Sequence, residues 1–190
     1  MKRNTFISLL FLIFSLINTK ADEPIKVTNF TLKDYNGKEH SLTDYKNSKA
    51  IVIIFIATQC PVSNAYNERM EKLYQDYKDK NVAFIGINSN KQESIEEIAE
   101  HAKKHNLNFT ILKDTGNKIA DMFNASVTPE VFVLNKDFNI MYHGRIDDSR
   151  RGDNIQHQDL RKALDEILSN KNVSVKETKA FGCTIKRVEQ

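Results

Sequence analysis

The chain has 190 residues, 40% hydrophobic and 28% charged, with a formal net charge of +3. This length is enough for one domain with a complete core. Residues 1–21 carry three basic side chains and no acidic one, so without them the chain is neutral. The charge therefore gives no argument for binding nucleic acid or an anionic membrane surface. Two cysteines are too few for a multi-bridge scaffold or a four-sulfur zinc site.

The N-terminus has the layout of a secretory signal. Lys2 and Arg3 precede an apolar run over 6–17, and small or polar residues lead to a predicted cleavage after Ala21. The run is too short to span a bilayer comfortably, so we expect export to a periplasmic or secreted location and no membrane span in the mature chain. An uncleaved N-terminal membrane anchor is the alternative. The predicted organisation is a signal over 1–21, a domain over 22–169 and a C-terminal extension over 170–190.

The first elements of the domain are strands. Alternating residues on either side of Asn36-Gly37 predict a hairpin formed by 30–34 and 39–42. The continuous apolar run 50–56 predicts a strand buried on both faces, as in the middle of a parallel sheet.

Further elements follow from the period of the apolar residues. They are helices over about 62–79, 92–105, 117–124 and 157–169, and strands over 82–87, 109–112, 130–134 and 139–143. This order predicts an α/β fold with a central mixed sheet covered by helices on both faces. The extension over 170–190 is polar and could stay mobile, although Phe181 and Ile185 give it apolar groups with which to dock.

Cys60 lies where the buried strand meets the following helix. Pro61 fits the first helical turn, where a missing N–H costs nothing. The sulfur would face unpaired N–H groups, which stabilise a thiolate and lower its pKa below the ordinary value of about 8.5. We therefore favour a reactive Cys60 over a buried structural cysteine, the other interpretation.

Three segments together resemble the thioredoxin superfamily, and within it the redoxin group related to alkyl hydroperoxide reductase and thiol-specific antioxidant proteins. They are the hairpin Phe30–Tyr45, the run Phe55–Pro61 and the run Thr128–Leu134. The resemblance implies a thioredoxin-like fold, thiol–disulfide oxidoreductase activity and no organic cofactor. No metal is expected either, because His101 and His105 lack a third ligand and Cys60 has no neighbouring cysteine. The resemblance also implies a cis bond before Pro129, with Thr128 and Pro129 presenting backbone to substrate. An ordinary trans proline is the alternative.

The chain departs from the thioredoxin Cys-x-x-Cys pattern at its fourth position, which is Ser63. A Cys-x-x-Ser site forms a mixed disulfide but needs another thiol to release it, and Cys183 is the only internal candidate. A subset of exported redoxins looks similar, with Cys-Pro-Val-Ser and a Gly-Cys-x-Ile-Lys tail. Our hypothesis is that Cys60 attacks and Cys183 resolves, with Pro61 and Ser63 beside the substrate. The alternative is a static disulfide in a non-catalytic binding module.

A peroxiredoxin-like thiol peroxidase is the enzymatic alternative. Peroxiredoxins place Thr or Ser three residues before the reactive cysteine, where this chain has Ala57, and an Arg where it has Thr128-Pro129. Glu130 is a candidate proton relay for thiol exchange, or equally an edge residue that reaches solvent. The expected partners are protein or small-molecule thiols and disulfides, together with an unidentified electron donor or acceptor.

Overall fold

The computed structural model describes residues 25–189. The predicted signal over 1–21 lies outside the described residues. The main sheet has seven strands in the order β2-β1-β5-β4-β3-β7-β8, and β6 pairs with β9 in a separate two-stranded sheet. The strands are β1 Thr31–Asp34, β2 Glu39–Ser41, β3 Ala50–Phe55, β4 Val82–Asn88, β5 Thr110–Lys113, β6 Val127–Thr128, β7 Glu130–Leu134, β8 Ile140–Gly144 and β9 Cys183–Thr184.

Helices cover both faces of the main sheet, as predicted. They are α1 Pro61–Asn64, α2 Asn67–Tyr77, α3 Ile95–Lys104, α4 Lys118–Met122 and α5 Asp159–Leu168. Within the described residues, no helix is long and apolar enough to cross a membrane.

The prediction of a single helix over 62–79 is wrong in one respect, because the structure divides this segment into α1 and α2. The N–H of Tyr66 bonds to the carbonyl of Ser63, three residues back, and α2 starts only at Asn67. The Tyr66 hydroxyl donates to the Asp147 carboxylate over 3.1 Å. This long-range anchor, absent from the local sequence pattern, accompanies the break between the two helices.

β3 is the centre of the sheet and is buried along its whole length. It runs parallel to β4 and antiparallel to β7. Val52 and Ile54 face the core beneath α2, whereas Ile51 and Ile53 face the core on the opposite side. Each fully buried side chain of this size contributes about 1.5–3 kcal/mol. These contacts fix the end of β3, and with it the position of the residues that follow.

The C-terminal extension packs along the domain. The N–H of Thr178 bonds to the His143 carbonyl at the free edge of β8, and Ile185 is buried in the core. The Arg187 side chain then donates to the Ala125 carbonyl over 2.6 Å. The tail is therefore docked in the structure, and the predicted docking through apolar side chains is confirmed for Ile185, which is buried, and for Phe181, which packs against the core.

Candidate active site

Cys60 caps the N-terminus of α1 with its side chain. Its Sγ accepts a hydrogen bond from the N–H of Ser63 over 3.3 Å, and Pro61 occupies the first helical position. The residue is 4% exposed. The predicted place at the strand-to-helix junction is therefore confirmed, and the Ser63 N–H is positioned to stabilise negative charge on the sulfur.

Cys60 and Cys183 form a disulfide, with their Cα atoms 5.9 Å apart across 123 residues of sequence. There is no free cysteine in residues 25–189. Cys183 reaches the site because β9 pairs antiparallel with β6, which sets Cys183 opposite Thr128. The pairing of the two thiols considered from the sequence is thus present.

The peptide bond between Thr128 and Pro129 is cis, as the resemblance implied. The Thr128 carbonyl oxygen lies 3.4 Å from the Cys60 sulfur. The backbone that precedes the proline therefore lies directly beside the sulfur, and the tail strand is paired with it. A cysteine that pairs with Thr128 in this way has its sulfur within reach of Cys60.

Ser63 occupies the position of the second thiol in a Cys-x-x-Cys site. Its side chain is fully buried, and its Oγ accepts a hydrogen bond from the Ala57 N–H over 3.1 Å. The hydroxyl thus holds the chain at the end of β3, and the backbone N–H of the same residue contacts the sulfur. Ser63 supports the site although it carries no thiol chemistry.

Glu93 is a site residue that the sequence did not reveal. Its buried carboxylate accepts hydrogen bonds from the N–H groups of Thr58 and Gln59, over 2.8 and 3.0 Å, and from the amides of Asn88 and Asn90. It therefore fixes the loop immediately before Cys60. Asn90 also accepts the N–H of tail residue Lys186 over 2.7 Å, so one network holds both the cysteine loop and the tail.

Glu130 lies behind the proline loop, and both of its carboxylate oxygens have partners. One accepts from His143 Nε2 over 2.6 Å, and the other accepts the N–H groups of Ser126 and Val127 over 2.7 and 3.1 Å. Burial raises the pKa of Glu130, but these hydrogen bonds outweigh it and hold the pKa below its ordinary value. The residue is 3% exposed, so the interpretation of Glu130 as a solvent-facing edge residue is wrong.

A small open cleft of about 250 Å³ lies over the disulfide. Glu93 and Lys186 contribute the charges of its lining. The described residues contain no group of three or more histidine, cysteine, aspartate or glutamate side chains that is able to hold a metal ion.

The sheet order, the helix-capping cysteine and the cis-proline beside it define a thioredoxin-like protein of the redoxin class. The model of the AhpC/TSA family matches residues 25–144, and the chain belongs to this family.

The chain is similar to proteins of two activities. It is 30% identical over 121 residues to the thiol-disulfide oxidoreductase ResA of Halalkalibacterium halodurans, a match that covers 64% of each chain. It is 31% identical over 124 residues to the chloroplastic peroxiredoxin Q of Triticum aestivum, covering 60% of this chain and 54% of that protein. The matches thus span between about half and two thirds of these curated relatives.

A solved structure is similar over a larger share of the chain. An uncharacterized conserved protein from Geobacillus kaustophilus is 30% identical, with a TM-score of 0.83 over 88% of this chain and 93% of its own. The two curated relatives differ in the activity that their names give.

Proposed function

We propose that this protein is an exported thiol–disulfide oxidoreductase in which Cys60 is the nucleophile and Cys183 the resolving thiol. The observation that carries the proposal is the disulfide between them, which joins the helix-capping cysteine to a cysteine in the tail. Ser63 leaves the usual position of the resolving thiol without sulfur, and Cys183 supplies a thiol from elsewhere in the chain. Similarity to ResA supports this class of activity.

The reaction begins from the reduced protein. The Cys60 thiolate attacks one sulfur of a substrate disulfide R–S–S–R′, so that the bond from Cys60 to R–S forms and R′–S⁻ leaves with a proton from water. The Cys183 thiolate then attacks the Cys60 sulfur, which forms the internal disulfide and expels R–S⁻. Two electrons pass to the substrate, and a dithiol donor returns them by the reverse exchange.

The residues around the sulfur have distinct roles in this scheme. The Ser63 N–H stabilises the thiolate, and Pro61 starts the helix without a competing donor. Thr128 and Pro129 present the backbone against which substrate extends. Glu130 acts as a positioning residue, because it holds the N–H groups of the loop that precedes Thr128. A proton relay through Glu130 requires its carboxylate first to leave His143.

Export is part of the proposal and depends on the signal-like segment over 1–21. An oxidising compartment preserves a disulfide between Cys60 and Cys183 until a donor reduces it. The donor is a dithiol protein or small molecule in the same compartment. Mass spectrometry of the exported protein tests the cleavage, which predicts a mature N-terminus directly after Ala21.

Redox titration tests the activity. The protein is equilibrated in dithiol buffers of known potential, the free thiols are alkylated, and the fraction of disulfide is counted by mass spectrometry. A potential above about −300 mV, with rapid exchange, supports the cycle, whereas a lower potential and slow exchange identify a static disulfide in a non-catalytic module. The Cys183→Ser variant should accumulate mixed disulfides on Cys60, and Cys60→Ser should not react.

Thiol peroxidase activity is the second candidate, because the chain is also similar to peroxiredoxin Q. Against it, Ala57 offers no hydroxyl to a peroxide, and the cation in the cleft lining, Lys186, belongs to the tail. Stopped-flow oxidation of the reduced protein by hydrogen peroxide distinguishes the two activities. A Cys60 rate far above that of a free thiol would favour the peroxidase.

A further inference from the structure

The tail reaches Cys60 as an extended strand paired with the backbone before Pro129. Thr184 lies opposite Val127 and Cys183 opposite Thr128. The N–H of Ile185 continues the ladder with a bond of 3.0 Å to the Ser126 carbonyl. The chain therefore carries, within its own sequence, a bound example of an extended peptide whose cysteine is disulfide-linked to Cys60.

The position before the tail cysteine accepts only glycine. A Cβ at Gly182 would overlap the Thr128 carbonyl group and approach the Pro129 nitrogen to 3.2 Å. The φ of Gly182 is not positive, so glycine is required here because a side chain has no space, and not because of the backbone conformation. Any chain that binds in the same register meets the same obstruction.

The tail lies in a groove formed by the backbone of residues 126–128 together with Tyr66 and Arg150. The side chains on either side of Gly182 and Cys183 show what else this groove contacts. The centroid of the Phe181 ring lies 6.4 Å from that of the Tyr66 ring, and the Arg150 guanidinium lies 5.3 Å from the Phe181 ring. Ile185 is buried in the core and only 3% exposed. Thr184, which lies between Cys183 and Ile185, faces solvent. The groove thus contacts positions −2, −1 and +2 relative to the cysteine and leaves +1 free.

At position +3 the tail is held through its main chain, whereas at +4 the Arg187 side chain donates to the Ala125 carbonyl and to the Asp121 carboxylate. The N–H of Lys186 donates to Asn90 and its carbonyl accepts from the N–H of Lys91 over 2.8 Å. Such bonds hold an extended chain whatever its side chain at that position. Close to the cysteine, selectivity is therefore expected at positions −2, −1 and +2, and the basic side chain at +4 adds a contact with Asp121 farther along the chain.

We propose that the tail is a tethered copy of the substrate, and that the reduced protein acts on protein disulfides whose cysteine lies in an extended segment with glycine at −1, an aromatic residue at −2 and a branched apolar residue at +2. This inference rests on the proposed function, since the groove opens only when the Cys60–Cys183 bond is reduced. The returning tail then competes for the same backbone and expels the product.

A set of synthetic peptides tests this selectivity. The parent peptide has the sequence of residues 179–188, with its cysteine as the mixed disulfide of thionitrobenzoate. Three others carry the changes Gly182→Ala, Ile185→Asp and Thr184→Ala, and the same disulfide of blocked cysteine is the small reference. Release of thionitrobenzoate is followed with full-length Cys183→Ser protein and, in parallel, with reduced wild-type protein, so that poor folding of the variant does not decide the result.

We expect the parent and Thr184→Ala peptides to react at least about tenfold faster than the Gly182→Ala and Ile185→Asp peptides. Equal rates for all four peptides would overturn the inference while leaving the oxidoreductase activity intact. If Cys60 reacts with the blocked-cysteine disulfide no faster than glutathione does, the proposed function itself fails. The two failures are thus separated by the small reference compound.

Discussion

The Thr128 carbonyl group lies so close to Gly182 that a Cβ at position 182 would overlap it. Glycine therefore permits the tail strand to lie against the strand before the proline, which in turn brings Cys183 to Cys60. The internal disulfide depends on this contact as well as on the two sulfurs.

Replacement of Gly182 by alanine should weaken the disulfide without removing either thiol. The added methyl group displaces β9 from β6, so we expect the equilibrium constant for disulfide formation to fall at least tenfold, or about 30 mV in potential. Redox titration with alkylation measures this shift. The matched control is Thr184→Ala in the same strand, whose exposed side chain should leave the potential unchanged. Equal potentials for Gly182→Ala and wild type would contradict the role of the contact.

Glu93 should be required for the stability of the cysteine loop. The Glu93→Gln substitution replaces one carboxylate oxygen by an NH₂ group that faces backbone or amide donors. Leaving buried donors unpaired costs about 1–3 kcal/mol, so the free energy of unfolding in urea should fall by that amount. Glu100→Gln, an exposed carboxylate on α3, is the control and should show no measurable change.

The same substitution should also alter Cys60 chemistry. Because either Thr58 or Gln59 loses its acceptor, alkylation of the reduced protein should show an altered Cys60 rate in Glu93→Gln and an unaltered one in Glu100→Gln. A variant that loses stability while Cys60 keeps its wild-type alkylation rate would restrict Glu93 to a structural role.

Local patterns predicted the parts of the site that lie within one stretch of sequence. The apolar run 50–56 and Pro61 together indicate a buried strand followed directly by a helix, which places Cys60 between them. The same period-based reasoning gave the predicted helices and strands of the main sheet. The cis bond before Pro129 followed from the resemblance to redoxins, because an X-Pro pair alone favours trans.

The rest of the site depends on contacts between distant residues. β6 and β9 have two residues each, too short for an alternation to show, and Val127 meets Thr184 across 57 positions. Glu93 contacts Thr58 across 35 positions, and its local sequence predicts only a place in the first turn of the helix over 92–105. The break before α2 is likewise accompanied by a contact of Tyr66 with Asp147, 81 positions away.

Glu130 should make the stability of the protein depend on pH. Its pKa is lower in the folded protein than its ordinary value of 4.5. The ionised carboxylate therefore stabilises the fold at pH above the unfolded value, and this contribution is lost as the pH falls through the folded value. The Glu130→Gln substitution should cost about 1–3 kcal/mol at pH 7, because the N–H groups of Ser126 and Val127 lose a charged acceptor.

Urea unfolding of wild type and Glu130→Gln as a function of pH tests this prediction. The difference between them should be constant at neutral pH and shrink below about pH 4. Glu177→Gln is the matched control, since its exposed carboxylate also faces His143, at 4.0 Å, but holds no backbone. A wild-type advantage over Glu130→Gln that persists unchanged in acid would contradict the assignment of the stabilisation to the ionised carboxylate.

Substitution of Ser63 by cysteine should convert the site to a Cys-x-x-Cys pair that competes with the tail. The Ser63 N–H already lies 3.3 Å from the Cys60 sulfur, and a new thiol three residues away has a much shorter path to it than Cys183 has. We expect peptide mass mapping of the oxidised Ser63→Cys variant to show Cys60 cross-linked to the introduced thiol, and Cys183 alkylated. Loss of the hydrogen bond from the Ala57 N–H should cost about 1 kcal/mol of stability.

The control for an added thiol is Ser169→Cys, an exposed position at the end of α5. In that variant, as in wild type, Cys60 should remain linked to Cys183 and the added thiol should be alkylated. If the Ser63→Cys variant also retains only the Cys60–Cys183 cross-link, strand pairing by the tail outweighs the proximity of the local thiol. The serine would then matter for its hydrogen bond to Ala57 rather than for the absence of a second sulfur.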